Sequence, residues 1–300
     1  SSSPRYAPTM RFPTLIVLAS VLAASGCSSP RLAGDDRPSI EEPTVRVAHP
    51  PLRYDCRRTV EPPAFDGDLD AGPWSLASWT EPFGDIEGDS RPRPRHLTQA
   101  KMLWDDENLY VACRMDEPDL WGTYDRRDMI VFHENDFEVF IDPDGDEDEY
   151  YEIEINVLGT IFDLFLHQAY RRGGPAEHGW DSENLRWAIH VDGTINDPRD
   201  VDRAWVVELA IPFRDLVPPT RREDGSAWDL PPIAEHLREP VPTVGDVWRL
   251  NFSRVQWDLE VDQGVYRKVE GRPEHNWTWT PQWEINMHVP SRWGYLRFVD

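Results

Sequence analysis

Positive charge is scarce in this chain. Across 300 residues there are 31 Lys and Arg against 55 Asp and Glu, a formal net charge of −24. Such a surface repels phosphate backbones and anionic headgroups, so neither a nucleic-acid partner nor electrostatic docking on a lipid surface is expected. No apolar run is long enough to cross a bilayer, which takes about 20 residues. No Cys-x-x-Cys-His run offers a covalent haem attachment. Met287 and His288 are no substitute, because neighbours on a strand face opposite ways. There is no alternation of strands with long helical patterns, which excludes a parallel α/β sheet. No repeat of 20–50 residues is visible either. What is abundant is turn residues and aromatics: 28 Pro, 18 Gly and 14 Trp, with hydrophobic residues at 39%. A sizeable core built from short, frequently turning segments leans towards β structure.

The first stretch reads as an address. Met10-Arg11 is followed by the apolar run Leu15–Ala24 and by Ser25-Gly26-Cys27-Ser28. A basic start, a short apolar run and small residues at a cleavage point make a secretory signal. Ala24-Ser25-Gly26-Cys27 resembles the lipobox of bacterial lipoproteins, which implies lipidation at Cys27 and an envelope location, with the outer membrane favoured by Ser28. The domain plan is therefore a leader over 1–27, a Ser- and Pro-rich tether over 28–50, and a folded domain over 51–300. Contact with the membrane is expected through the lipid alone. Cys56 and Cys113 remain, either as a disulfide or as small buried residues.

The folded part predicts an all-β antiparallel sandwich, jelly-roll-like, with short helices and one long surface loop. Strand signals cover 98–104, 109–115, 136–142, 150–158, 161–167, 185–191, 204–211, 248–257 and 294–299. Helical signals are brief, at Ala71–Ser78 with Asp70 as a cap and at Pro232–Arg238. The stretch from Val217 to Val244, dense in Pro and charge, is the long loop. Alternation gives faces. Phe137, Val139 and Ile141 share one side of their strand, and Asp136, Glu138 and Asp142 the other. Glu152, Glu154 and Asn156 extend a polar face that Asp163, His167, Glu208, Asn251 and Ser253 continue. Asn276-Trp277-Thr278-Trp279-Thr280-Pro281 reads as a loop, where tryptophans are hard to explain by packing. Rings beside a polar face suit sugars, whose C–H faces stack on aromatics while their hydroxyls pair with carboxylates, amides and Arg. The candidate ligand residues are Trp277, Trp279, Glu138, Asn276, Asn156 and Arg254. Two carboxylates drawn from Glu138, Glu152, Glu154 and Asp163 are the material of the rival reading, a glycosidase. A structural or interaction lipoprotein with no sugar site is the other rival. Asp142-Pro143-Asp144-Gly145-Asp146 places carboxylates at alternate positions, as oxygen-ligated Ca²⁺ requires, although it is no EF-hand; Asp66, Asp68 and Asp70 form a second acidic cluster.

Several segments in register resemble the family 9 carbohydrate-binding modules: Phe65–Asp70 with Pro73-Trp74, Trp104–Ala112, Asn135–Pro143, Tyr151–Asn156, Gly193–Asp197, Trp205–Pro212 and Trp293–Phe298. The resemblance implies a β-sandwich that grips a glycan end between two rings, binds structural calcium and does not cleave. It implies that Glu138 contacts sugar hydroxyls and that Asn276 and Trp277, with Trp279 competing, supply an amide and one ring. Phe132 and His133 stand where the family has its other ring, and Glu154 where a basic residue is usual. The expected partner is a poly- or oligosaccharide, in association with glycan-degrading enzymes.

Overall fold

The computed structural model describes residues 49–219, 221, 225–226 and 241–300. The leader, Cys27, nearly all of the tether, the helical signal at 232–238 and much of the Pro-rich loop lie outside the described residues. No helix among the described residues is long and apolar enough to cross a membrane.

The expected strands form, mostly to within two residues of their predicted ends. They are β3 (Thr98–Trp104), β4 (Asn108–Asp116), β5 (Asp136–Asp142), β6 (Asp148–Asn156), β7 (Ile161–Gln168), β9 (Arg186–Asp192), β10 (Ala204–Pro212), β11 (Val247–Gln256) and β15 (Gly294–Val299). To these the structure adds β1 (Arg53–Arg58), β2 (Gly84–Asp85), β8 (Ala176–Glu177), the hairpin β12 (Leu259–Asp262) and β13 (Val265–Lys268), and β14 (His275–Thr278). Main-chain pairing runs β8-β7-β6-β5-β11-β15-β1-β3-β4-β10-β9, with β14 on β11 and β2 on β14. Pairing is antiparallel except at β1, which lies parallel to both β15 and β3, so the sheet is mixed. The sheet curls until its two halves share one core. Phe137, Val139 and Ile141 of β5 and Ile153 and Ile155 of β6 meet Met102, Val111, Val207 and Leu209 from the other half.

Helical structure is limited to short 3-10 turns. Gly72–Leu76 replaces the helix expected over 71–78, and Asp70 does not cap it. Asp70 instead lies 3.6 Å from the ammonium of Lys101, which donates to the carbonyls of Leu69 and Trp74. The Phe65–Trp74 segment is held from below by Glu208 of β10, which accepts from Gly67 N and Trp74 Nε1, each at 2.8 Å. Gly67 sits at φ +80 with no room for a Cβ, which would meet the His190 ring at 2.8 Å. Glu208 therefore belongs to the other half of the sheet and does not continue the Glu138 face. Asp66 and Asp68 form successive Asx turns, Asp66 accepting from Asp68 N and Asp68 from Asp70 N.

Cys56 and Cys113 are both free and fully buried in the main core. Burial pushes both thiols well above their usual range. Of the two readings, the small buried residue is the one the structure supports.

Candidate functional site

The Asp136–Asn156 face is polar in sequence yet sealed in the fold. Glu138 stands directly opposite Glu154 of β6 and Ser253 of β11, and Asp136 opposite Asn156. Phe140, Tyr150, Phe162 and Leu164 share this face, and Ile86, Val131, Met287 and Trp293 close over it as a second apolar layer. Asp136, Glu138, Glu152 and Glu154 are consequently 0–5% exposed. Burial pushes Glu138 up to about 7 and lifts the other three well above the ordinary carboxylate range, with mutual repulsion adding to it.

Register separates residues that the sequence had grouped. Asp163 pairs with Ile153, not with Glu152 or Glu154, so it faces the opposite way. There it takes a two-pronged hydrogen bond from Arg127 at 2.6 and 2.7 Å, and another from Ser182 N. His167, four residues further along β7, shares that side. The carboxylates considered for glycosidase chemistry thus divide between two faces, and those on the Glu138 face have no opening to solvent.

The expected ligand residues divide in the same way. Arg254 pairs with Trp277 across β11 and β14, and both lie on the Phe137 side of the sheet, away from Glu138. Trp277 is 3% exposed and Trp279 1%, both within the main core. Trp277 is a strand residue, not a loop residue. The guanidiniums of Arg254 and Arg95 lie over its ring, at 5.1 and 5.5 Å. Trp279 packs its ring on Gly294 and donates Nε1 to Glu81. The Arg254 guanidinium is spent on Thr98, Gln256, the Asp116 carbonyl and Glu117. Asn156 is equally committed, donating to the Tyr124 carbonyl and accepting from Leu158 N and Thr160 N. These groups hold the fold together, because buried polar atoms must find partners. Asn276 alone of the six is half-exposed.

Rings and polar groups do reach the surface together where β11 ends. Trp257 follows β11 directly, half-buried, and its backbone N–H is pinned by Asn135 Oδ1 at 2.8 Å. Its Nε1 donates to the carbonyl of Phe132, whose own ring is 38% exposed. Phe132 and His133 lie in the 3-10 turn Val131–His133 that leads into β5. The β12–β13 hairpin supplies Lys268. Its two-residue turn, Gln263-Gly264, has positive φ at both positions (52 and 82), as a type I′ hairpin turn requires. The Lys268 ammonium sits 3.7 Å over the Trp257 ring and donates to the His133 carbonyl. Next along the rim, Asp258 binds Arg95 and Arg272 at 2.9 Å and His275 at 3.3 Å. These partners, Arg272 foremost, hold its carboxyl below the usual range. Nearby, His96 packs edge-on against Trp277, and Asn276 lies across from Val255 at the end of β11. Trp257 was visible in the sequence as one of several nearby tryptophans; what singles it out is its place at a strand end beside the Phe132 turn.

His96 carries a pH dependence. Burial, reinforced by Arg254 and Arg95, pulls its imidazole down to about 4 from 6.5. Between those values the unfolded chain binds the proton and the folded chain does not, so stability falls as pH drops from about 6.5 to about 4. His96→Gln is expected to remove this component: wild-type Tm should decline relative to the variant across that window, and parallel profiles would refute it.

A separate cleft of about 380 Å³ lies between Trp279, Trp283, Glu81, Asp89 and Arg292. His49 stacks on Trp283 there, with ring centroids 3.9 Å apart.

The family model described as carbohydrate family 9 binding domain-like matches residues 65–224. The chain belongs to that family. No curated protein matches it. Among solved structures it is similar to a putative carbohydrate-binding protein from Bacteroides uniformis, with 14% identity and a TM-score of 0.54 over 83% of this chain and 99% of that one. It also matches a family 9 module from Caldicellulosiruptor kristjanssonii solved with cellotriose, at 16% identity and a TM-score of 0.47, covering 82% of this chain and 93% of that one. At such identities the likeness to the Bacteroides protein speaks for the fold alone. Within this family 9-like chain, the position of Phe132 and His133 before β5 lies inside the matched segment, whereas Trp257, Asp258 and Lys268 come from the part that follows it.

Proposed function

We propose that this chain binds carbohydrate without cleaving it, through the rim formed by Phe132, His133, Trp257, Asp258, Lys268 and Asn276. The observation that carries this reading is Trp257: a half-exposed ring tied to the exposed Phe132 turn and covered by Lys268, with the Asp258 carboxylate and its guanidiniums next along the chain. A sugar needs that combination, since each hydrogen bond exchanged with water nets only about 0.5–1.5 kcal/mol and stacking must supply the remainder. The Lys268 ammonium lies over the ring that a sugar would use, so it moves aside or turns its donors to the sugar on binding.

Family membership supports the carbohydrate class. The lipobox-like Ala24–Cys27 supports a cell-envelope lipoprotein that holds the domain off the membrane and serves glycan capture alongside degrading enzymes. Calcium fits the turn after β5. Asp142, Asp144 and Asp146 bring carboxylate oxygens within 4.8 Å of one another. Asp142 accepts from Gly145 N and Glu147 N, which fixes the turn in a form that presents oxygen donors only. The ion would brace the β5–β6 connection.

The test is calorimetry of the full chain with oligosaccharides, comparing Trp257→Ala with Trp283→Ala. Trp257→Ala is expected to cost about 2 kcal/mol of binding, roughly thirtyfold, as truncation of an anchoring Trp does. Trp283→Ala should leave affinity unchanged. The reverse pattern would move the site to the Trp279–Trp283 cleft, which has the concavity and the carboxylates for it.

A further inference from the structure

We infer that the sealed Asp136–Glu138–Glu154 cluster is a second divalent-cation site of the calcium class, distinct from the turn at Asp142 and independent of the sugar-binding proposal. Three carboxylates on two adjacent strands bring oxygens within 4.8 Å of one another, all of them buried. Two ligands on opposite sides of a Ca²⁺ ion, at 2.3–2.6 Å each, are separated by about that distance.

No positively charged side chain among the described residues offsets the cluster's charge. No Lys, Arg or His among them makes an ion pair with Asp136, Glu138 or Glu154; His288 reaches Glu152, at 4.0 Å, and Arg249, on the same face, lies opposite Asp142. Arg254, the nearest guanidinium along β11, points out of the opposite face and is committed to Glu117. Two of the carboxylate oxygens, Asp136 Oδ2 and Glu154 Oε2, are buried without a hydrogen-bond partner. Ser253 is fully buried directly across from Glu138, and its hydroxyl leans towards that carboxylate without a well-formed hydrogen bond. Unpaired carboxylates in such surroundings are costly, and so are orphaned polar atoms. A hard cation resolves both at once, taking the free oxygens of Asp136 and Glu154, one from Glu138 and the Ser253 hydroxyl. The donor set contains oxygen alone, which suits Ca²⁺ and gives no preference to softer metals.

Held there, the ion would tie β5, β6 and β11 together beneath the Met287–Trp293 cover. It would thus use the carboxylate that the family resemblance assigns to sugar for a structural purpose, consistent with a sugar rim displaced to the strand end.

The test uses the full chain stripped of metal with a chelating resin. Calcium is then titrated by calorimetry and bound metal counted by mass spectrometry. The background is Asp144→Asn/Asp146→Asn, which disables the turn after β5. One Ca²⁺ per chain is expected to remain in that background and to raise its Tm. Adding Glu138→Gln/Glu154→Gln should remove both the ion and the shift. The glutamines mimic uncharged acids, so this variant should be at least as stable in chelator as its parent. Should that pair fail to fold, Glu154→Gln alone in the same background is expected to weaken calcium at least tenfold. A folded Asp144→Asn/Asp146→Asn protein that binds no Ca²⁺, or undiminished binding after the glutamate substitutions, would overturn the assignment and leave the carboxylates as proton-sharing acids.

Discussion

Trp277→Ala is expected to lower stability by about 3–5 kcal/mol, the range for truncating a buried large aromatic. In a domain of this size that corresponds to a fall in Tm of roughly 10 °C. The ring is 3% exposed and belongs to the same core as Phe83, Phe137 and Phe252. It also forms the wall against which Arg254 and Arg95 lie and onto which His96 packs edge-on at 5.9 Å. Removing it opens a void next to a buried guanidinium, so relaxation into the space is hindered. Denaturant unfolding followed by circular dichroism measures the loss. A variant as stable as the wild type, impaired only in sugar binding, would return Trp277 to the role that its apparent loop position suggested.

Arg254→Met should be as damaging, again about 3–5 kcal/mol, because removing one partner strands the other as a buried charge. Arg254 and Glu117 meet at 3.0 Å with side chains 1% and 3% exposed. The guanidinium also bonds to Thr98 Oγ1, Gln256 Oε1 and the Asp116 carbonyl, tying β11 to β3 and to the end of β4. Burial already raises the Glu117 carboxyl in spite of Arg254, so losing the cation leaves it little means of staying ionised. The double variant Arg254→Met/Glu117→Gln is expected to recover part of the loss. A double-mutant cycle should give a coupling of about 1–3 kcal/mol. Additive effects would show that the pair contributes through packing alone.

Much of the architecture was legible because alternation and turn chemistry agree along the longer strands. Asp136–Asp142 and Gly294–Val299 begin and end as the sequence implies. The short strands were not legible. β14 spans only His275–Thr278 and is set by pairing to β11, which local pattern does not encode. The site was harder for two physical reasons. A polar alternation reports only that a face is not the main core. It does not reveal that Ile86, Val131, Met287 and Trp293, distant in sequence, close over it. Register was the second reason: the turn after Asn156 sets Asp163 opposite Ile153, and with a period of two one position decides the face. The resemblance placed Asn276 and Trp277 at a binding slot and marked Phe132 and His133 as a departure from the family ring; here Trp277 and Trp279 are packed into the core. Trp257 carried no local signal beyond being one tryptophan among 14.

The most direct test of the central claim is to screen the full chain against a broad glycan array and incubate the same glycans with it, analysing for cleavage products. Binding to at least one glycan class without products, lost in Trp257→Ala while the fold persists, is the predicted result. Release of products, or silence across the array from a folded sample, would contradict it.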